Sequence, residues 1–139
     1  MNHHVDPTRA QFEIFKALPR DTPILMLNLI RLRDQAAYAD ARRASGLDAY
    51  TAYSRESEPI FSRVGGRIIW RGKPQQVLIG PADEQWHIAF IARYPHAAAF
   101  MEMVTDADYR VAVLHRQAAV DDSRLIRLGE SGAGAGFGA

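Results

Sequence analysis

Apolar residues form five short runs along the chain that are typical of β-strands. The run at residues 23–30, PILMLNLI, is almost wholly apolar and is bounded by proline and charge, which predicts a buried strand. The other runs are shorter or alternate along their length, and turn-forming residues separate them. The strands predicted in this way are residues 23–30, 67–71, 75–80, 86–94 and 123–128.

Helical spacing of apolar residues predicts the intervening helices. Asp6 followed by Pro7 is typical of an N-cap and a first helical position, so an N-terminal helix should begin there. Ser45 and Asp48 have the spacing of a capping box at the start of a longer helix. Pro59 lies inside that helix and is expected to kink it or to restart it. These signals place one helix before the first strand and one after it.

A third helical region follows Pro95 and is divided near Thr105. Thr105 is the expected N-cap of a further helix, because Asp108 follows it three residues on. The resulting order is one helix followed by β-α-β-β-α-β. That order predicts an α+β fold, namely a ferredoxin-like βαββαβ protomer with an extra N-terminal helix and with its helices on one face of an antiparallel sheet.

Both faces of the predicted sheet carry apolar side chains. Phe90 and Ile91 point to opposite faces of their strand, and Met26 and Leu27 do so on the first strand. A sheet with helices on one face only would then expose its other apolar face to water. We therefore expect a homodimer, in which a second sheet covers that face.

Glycines in the stretch GGRIIWRGKP, residues 65–74, raise the question of a phosphate-binding loop. Gly66 and Gly72 are separated by one residue more than a P-loop allows, and Pro74 occupies the position of the magnesium-binding hydroxyl. The residues between the glycines are strand formers, which do not turn tightly enough to surround a phosphate. We therefore predict a tight turn at residues 71–74 that joins its flanking strands into a β-hairpin.

The composition is that of one soluble domain. The 139 residues carry a formal net charge of +1, which gives no indication of a nucleic-acid or membrane partner. The absence of cysteine excludes disulfides and thiolate chemistry and fits a cytoplasmic protein. We expect a domain at residues 23–128, a helical extension before it at residues 1–22, and a disordered Gly/Ala-rich tail at residues 129–139.

Several segments resemble those of one known family. They are LNLIRLRD, VGGRIIWRGKP, VLIGP, YPHAAAFMEMVTDADYRVAVLHR and DSRLI. In this order they are similar to the uncharacterised DUF1330 family of the dimeric α/β-barrel superfamily, over residues 23–128. The resemblance implies a protomer whose sheet pairs with a second copy to form a barrel. It implies no reaction, because the superfamily includes cofactor-free monooxygenases, isomerases, haem-degrading oxygenases and proteins that only bind.

Asn28 and His115 are the candidates for catalysis. Asn28 is the one polar residue within its apolar strand, and a buried amide without a partner costs about 1–3 kcal/mol. It is therefore either a core residue with a hydrogen-bond partner or an amide that faces a ligand. His115 lies near the edge of the apolar side of the last helix, where it is either structural or a base for proton transfer.

Aromatic and basic residues are the candidates for ligand binding. The aromatic rings belong either to the core and the dimer interface or to the wall of a flat pocket. His87 shares a strand face with Arg93, which predicts a polar patch. Arginines at a cavity mouth would suit a substrate that carries a carboxylate. The residues proposed for ligand binding are Trp70, Tyr53, Arg71, His87, Tyr109 and Arg110.

We expect no metal site and no cofactor, because the five histidines are scattered without metal-ligand spacing. Three functions stay open. The first is a cofactor-independent enzyme that abstracts a proton, as an isomerase or monooxygenase does, or a small-ligand binder, with its pocket between sheet and helices. The second is a non-enzymatic dimer that binds a ligand or acts under stress. The third, implied only by the superfamily resemblance of Asn28, a tryptophan and His115, is a haem-degrading oxygenase.

Overall fold

The apolar runs and helix caps fold into four helices and four strands over residues 3–138, the part of the chain that the computed structural model describes. No helix in this part combines the length and apolar character needed to cross a bilayer. In chain order the elements are α1 (Arg9–Ala17), β1 (Ile24–Leu32), α2 (Gly46–Arg63), β2 (Arg67–Gly72), β3 (Ile88–Tyr94), α3 (Ala97–Thr105), α4 (Ala107–Ala119) and β4 (Val120–Leu128).

The strands form one antiparallel sheet in the order β2-β3-β1-β4. The first and third strands are central, as in ferredoxin-like folds. Asn28 lies at the middle of the sheet, with Phe90 opposite it on β3 and Leu125 opposite it on β4. The predicted α+β, ferredoxin-like fold is confirmed.

The hairpin predicted around residues 71–74 is wrong. β2 pairs with β3, and residues 75–80 lie outside the sheet. In that segment Leu78 is 81% exposed and Ile79 is 94% exposed. β-propensity reflects how well a side chain fits a half-buried sheet surface rather than which partner it finds. β3 offers β2 a longer partner with one buried face, so the more local pairing does not form.

Side-chain capping moves the start of the first helix. α1 begins after Thr8 and not at Asp6, because the Thr8 hydroxyl accepts the Gln11 N–H at 3.1 Å. The Gln11 side chain accepts the Thr8 N–H in return, which completes a capping box. Asp6 instead accepts a hydrogen bond from the side chain of Gln117, at 3.2 Å.

α2 begins as predicted, since the Ser45 hydroxyl accepts the Asp48 N–H at 3.0 Å. Its first residue must be glycine, because a Cβ on Gly46 would lie 1.8 Å from the Arg33 carbonyl oxygen. The restart predicted at Pro59 is wrong, since the helix is continuous to its last residue. Buried side chains on both sides of the proline hold the helix in place and offset its cost of about 3 kcal/mol.

One face of the sheet packs against the helices and the other does not. On β1, Ile24, Met26 and Ile30 are each at most 3% exposed, and they belong to the two clusters that form the core. The alternate side chains point to what we call the outer face. By register this face also carries Arg93 and Arg124, and its apolar residues are Leu25, Leu27, Leu29, Trp70, Ala89, Ile91 and Ile126.

The N-cap of α4 is Asp106 and not Thr105. Its carboxylate accepts the N–H groups of Asp108 and Tyr109, at 2.8 and 3.2 Å, and pairs with Arg63 at 2.6 Å. Thr105 instead ends α3. The hydrogen bond from Arg63, followed by those from the helix N–H groups, holds the pKa of Asp106 below its ordinary value.

The lowered pKa of Asp106 makes the stability of the fold depend on pH. The ionised carboxylate stabilises the fold above the ordinary aspartate pKa, and this contribution is lost as pH falls through the lowered folded-state value. Asp106→Asn keeps a good cap but removes the charge, so it should lower the melting temperature at pH 7 by about 1–4 °C. Thermal denaturation should show this difference shrinking as pH falls below the ordinary aspartate pKa and vanishing once the folded-state carboxylate is protonated. Asp83→Asn, in the exposed connection after β2, is the control; a pH-independent difference for Asp106→Asn would contradict the assignment.

Candidate functional site

A large cleft lies between the helix-facing side of the sheet and helices α1, α2 and α4. Its volume is about 1530 Å³. Pockets for organic ligands typically measure about 300–1,000 Å³, so a small molecule fits within it. Much of the wall is aromatic, with rings from both helices and from the sheet. These rings include Phe12, Phe15, Tyr53, Phe61 and Phe90.

Two tyrosine hydroxyls meet in this cleft. The Oη atoms of Tyr53, on α2, and Tyr109, on α4, are 2.7 Å apart. Burial raises the pKa of both phenols, so each is protonated at neutral pH. One hydroxyl donates to the other, and the accepting hydroxyl keeps its own hydrogen for a further partner. The pair can therefore donate a hydrogen bond to a ligand.

Asn28 lies on the helix-facing side of β1 and lines the cleft. Its Nδ2 donates to the Met26 carbonyl at 3.0 Å. Its Oδ1 has no hydrogen-bond partner among residues 3–138 and is not sealed from solvent. The amide nitrogen thus behaves as that of a core residue with a hydrogen-bond partner. The amide oxygen is open and can face a ligand.

His87 and Arg71 also line the cleft. The Nδ1 of His87 accepts the Leu32 N–H at 2.8 Å. In the neutral ring the hydrogen is then on Nε2, so this imidazole can donate but has no free lone pair. Arg71 lies opposite Phe90 in the ladder of β2 and β3, which places it on the helix-facing side of the sheet.

His115 lies apart from the residues that line the cleft. Its Nδ1 is 2.6 Å from the hydroxyl of Tyr38, and its Nε2 is 2.8 Å from a carboxylate oxygen of Glu56. Both ring nitrogens are therefore engaged. This Tyr–His–Glu chain joins the connection after β1 to α2 and α4. The structure does not bring His115 together with Asn28.

Trp70 and Arg110 also lie away from the cleft lining. Trp70 is opposite Ile91 on the outer face and is 51% exposed, while Arg110 is exposed on α4. A register shift between Ile68 and Trp70 exchanges the faces along β2. Simple alternation therefore could not assign the faces of this strand.

Two parts of this region were not predicted from the sequence. Arg116 lines the cleft, and its guanidinium donates to the Val5 carbonyl and, at 3.3 Å, to the Ser123 hydroxyl. It follows Tyr109 by two helical turns, so helical spacing could have placed both on one side of α4. Tyr38 gave no comparable signal, because its segment has no periodicity.

Residues 3–138 hold no group of His, Cys, Asp and Glu placed to bind a metal ion.

Comparison with known proteins gives a family and close structural relatives. The family model described as Domain of unknown function (DUF1330) matches residues 37–128. The crystal structure of RPA0582, a protein of unknown function from Rhodopseudomonas palustris, is 53% identical, with a TM-score of 0.91 over 95% of this chain and 100% of that one. The methylated RPA0582 protein is 54% identical, with a TM-score of 0.94 over 96% of this chain and 99% of that one.

A more distant structure shares the fold alone. SnoaB, a cofactor-independent oxygenase from Streptomyces nogalater, is 11% identical, with a TM-score of 0.53 over 81% of this chain and 96% of that one. At this identity the likeness carries no information about the reaction. No curated protein matches the chain.

The contacts of His115 predict a structural effect of its substitution. His115→Ala leaves the Tyr38 hydroxyl and the Glu56 carboxylate without their partner, and we expect the free energy of unfolding to fall by about 1–3 kcal/mol. Chemical denaturation measures this change. Leu114→Ala is the matched control, since Leu114 is 56% exposed on the same helix. A folded His115→Ala variant with wild-type stability but without ligand binding would contradict this structural role and show that His115 belongs to the binding site.

Proposed function

The chain belongs to the DUF1330 family of domains of unknown function, and we propose that it is a binding protein that holds a small organic molecule in the cleft. One observation carries this proposal. In a largely aromatic cleft, the Tyr53–Tyr109 pair offers a hydroxyl hydrogen and Asn28 offers Oδ1. A few open polar groups on apolar walls are what orients a ligand in a binding pocket.

The same groups favour binding over proton abstraction. Burial raises the pKa of Tyr53 and of Tyr109 and keeps both phenols protonated at neutral pH, so neither supplies a phenolate to abstract a proton. The amide of Asn28 takes up no proton at neutral pH, and the Nδ1 of His87 already accepts a backbone N–H. The carboxylates in the lining, those of Asp6 and Glu58, already accept hydrogen bonds from the side chains of Gln117 and Ser62. A cofactor-independent isomerase or monooxygenase needs a free base beside its substrate. His115, the base that the sequence suggested, lies elsewhere.

The haem-degrading alternative loses its support for a similar reason. It relied on His115 as an iron ligand and on a tryptophan beside the porphyrin. Both ring nitrogens of His115 are bound by protein groups, and Trp70 is on the outer face of the sheet. We therefore favour non-enzymatic binding of a small organic molecule.

Fragment binding tests this proposal. A screen of small aromatic fragments by ligand-observed NMR should find compounds that compete for one site. Ser54 is an exposed residue of the cleft wall on α2, so Ser54→Trp should obstruct the cleft and weaken fragment binding at least about 10-fold. Val111→Trp, at a 60% exposed position of α4 outside the lining, is the matched control and should bind normally. Equal binding by the two variants would contradict the proposal.

We also propose that two copies pair through the outer face. The centre of this face is apolar, and monomeric soluble proteins rarely expose a large apolar patch. A second copy presents the same surface, so the two faces would meet in a self-complementary interface with twofold symmetry. The exposed Leu78 and Ile79 add apolar area outside the sheet. The side chains at the centre of the face are Leu25, Leu27, Leu29 and Ile91.

Sedimentation velocity tests the dimer. The wild-type protein should sediment as a dimer at micromolar concentration. Leu27→Glu should be monomeric, because a carboxylate at the centre of the interface would be buried without a partner. Leu114→Glu, an equal change on the exposed side of α4, should remain dimeric. A monomeric wild-type protein would refute the pairing.

A further inference from the structure

The charged groups that line the cleft are mainly cations. The carboxylates in the lining are those of Asp6 and Glu58, which accept hydrogen bonds from the side chains of Gln117 and Ser62. The cations are more numerous, and so the cleft has a positive potential that favours an anion. They are Arg55, Arg67, Arg71, Lys73, Arg116, Arg124 and Arg127.

Three of these cations follow one edge of the sheet, and we call Arg67, Arg71 and Lys73 the basic edge. The first two belong to β2, an outermost strand of the sheet, and the third follows it directly. All three are exposed, and none has a hydrogen-bond or ion-pair partner among residues 3–138. Arg127, by contrast, donates to the carbonyls of Phe15 and Pro19. The basic edge is thus free to bind a ligand from solution.

The positive charge of Arg71 acts on a side chain inside the cleft. Burial raises the pKa of Tyr50, whose side chain lines the cleft, and the positive charges of Arg116 and Arg71 oppose that rise. The interior therefore lies within the field of a guanidinium on the sheet and of another on α4. A guanidinium is well suited to carboxylate, because its planar fork can donate two parallel hydrogen bonds.

The aromatic wall favours a flat ring. Tyr94 packs edge to face against Phe61 and Phe100, with ring centroids 5.5 and 5.4 Å apart. All three rings line the cleft. Aromatic groups prefer such offset or perpendicular contacts, so a further ring from a ligand would extend the same array.

We infer that the ligand is a planar aromatic carboxylate, with its carboxylate at Arg71 and Lys73 and its ring against the aromatic wall. An acceptor atom on the far side of the ring would take the hydroxyl hydrogen of the Tyr53–Tyr109 pair. This inference rests on the proposed binding function and adds the chemical class of the ligand. The competing explanation is that charges on an edge strand only prevent sheet-to-sheet aggregation, which requires no ligand.

Matched pairs of probes separate charge from ring shape. The probes are benzoate with benzamide, 2-naphthoate with 2-naphthamide, and indole-3-acetate with indole-3-acetamide. Isothermal titration calorimetry on the full-length protein should give at least about 5-fold tighter binding for the carboxylate of a pair. This preference should weaken as NaCl is raised from about 0.05 to 0.5 M, because salt screens exposed charges.

Variants that remove one positive charge test which side chains cause the preference for carboxylate over amide. Arg71→Gln and Lys73→Gln should each reduce carboxylate affinity about 3- to 10-fold and leave amide affinity unchanged. Arg110→Gln is the matched control, because Arg110 is exposed on α4 outside the cleft lining. Circular dichroism confirms that the variants fold.

The outcomes distinguish this inference from the function on which it rests. Equal binding of acids and amides, blocked by Ser54→Trp, would overturn the carboxylate assignment and leave the binding function intact. A carboxylate preference that Arg110→Gln removes as well as Arg71→Gln does would refute the basic edge as its source. Failure of every probe to bind would reject the ligand class, while the wider fragment screen decides the binding function separately.

Discussion

The position of β1 between β3 and β4 is the constraint on which the rest of the structure depends. Side chains alternate along a strand, so the register that places Asn28 opposite Phe90 and Leu125 also sets which face each neighbour occupies. A slip of one residue would exchange the faces, carrying the amide out of the cleft and Leu27 into it. The core, the cleft and the apolar outer face all follow from this one register.

The cleft exists because the helices pack on each other more than on the sheet. α2 and α4 contact each other extensively, whereas α2 touches β1 at few points. The Tyr53–Tyr109 hydrogen bond joins this helix pair, and long aromatic side chains extend into the space beneath it. Native interiors leave few polar groups unsatisfied. The Oδ1 of Asn28 has no protein partner among residues 3–138 but is open to the cleft, where a donor from solvent or from a ligand can reach it.

The two polar centres of the molecule differ in this respect. In the Tyr38–His115–Glu56 chain both ring nitrogens of His115 have protein partners, and the chain connects three segments of the protein. The polar groups of the cleft, by contrast, can still make hydrogen bonds to a ligand. The charged side chains of the basic edge have no ion-pair partner among residues 3–138. The sequence points to residues in both centres, Asn28 and His115 among them, but it does not show that they belong to separate centres. A side chain's chemical type is local information, whereas its partners come from segments far apart in sequence.

Local patterns determined the elements of this protein. The apolar run of β1, the Ser45 cap and the order of strands and helices specify a ferredoxin-like protomer, because period and capping act over a few residues. Tertiary structure decided what lay beyond that range. β2 pairs with β3 rather than with residues 75–80, a register shift turns Trp70 outward, and Tyr38 engages His115. In each case the choice is between partners of similar chemistry, and only the free energy of the assembled core selects one of them.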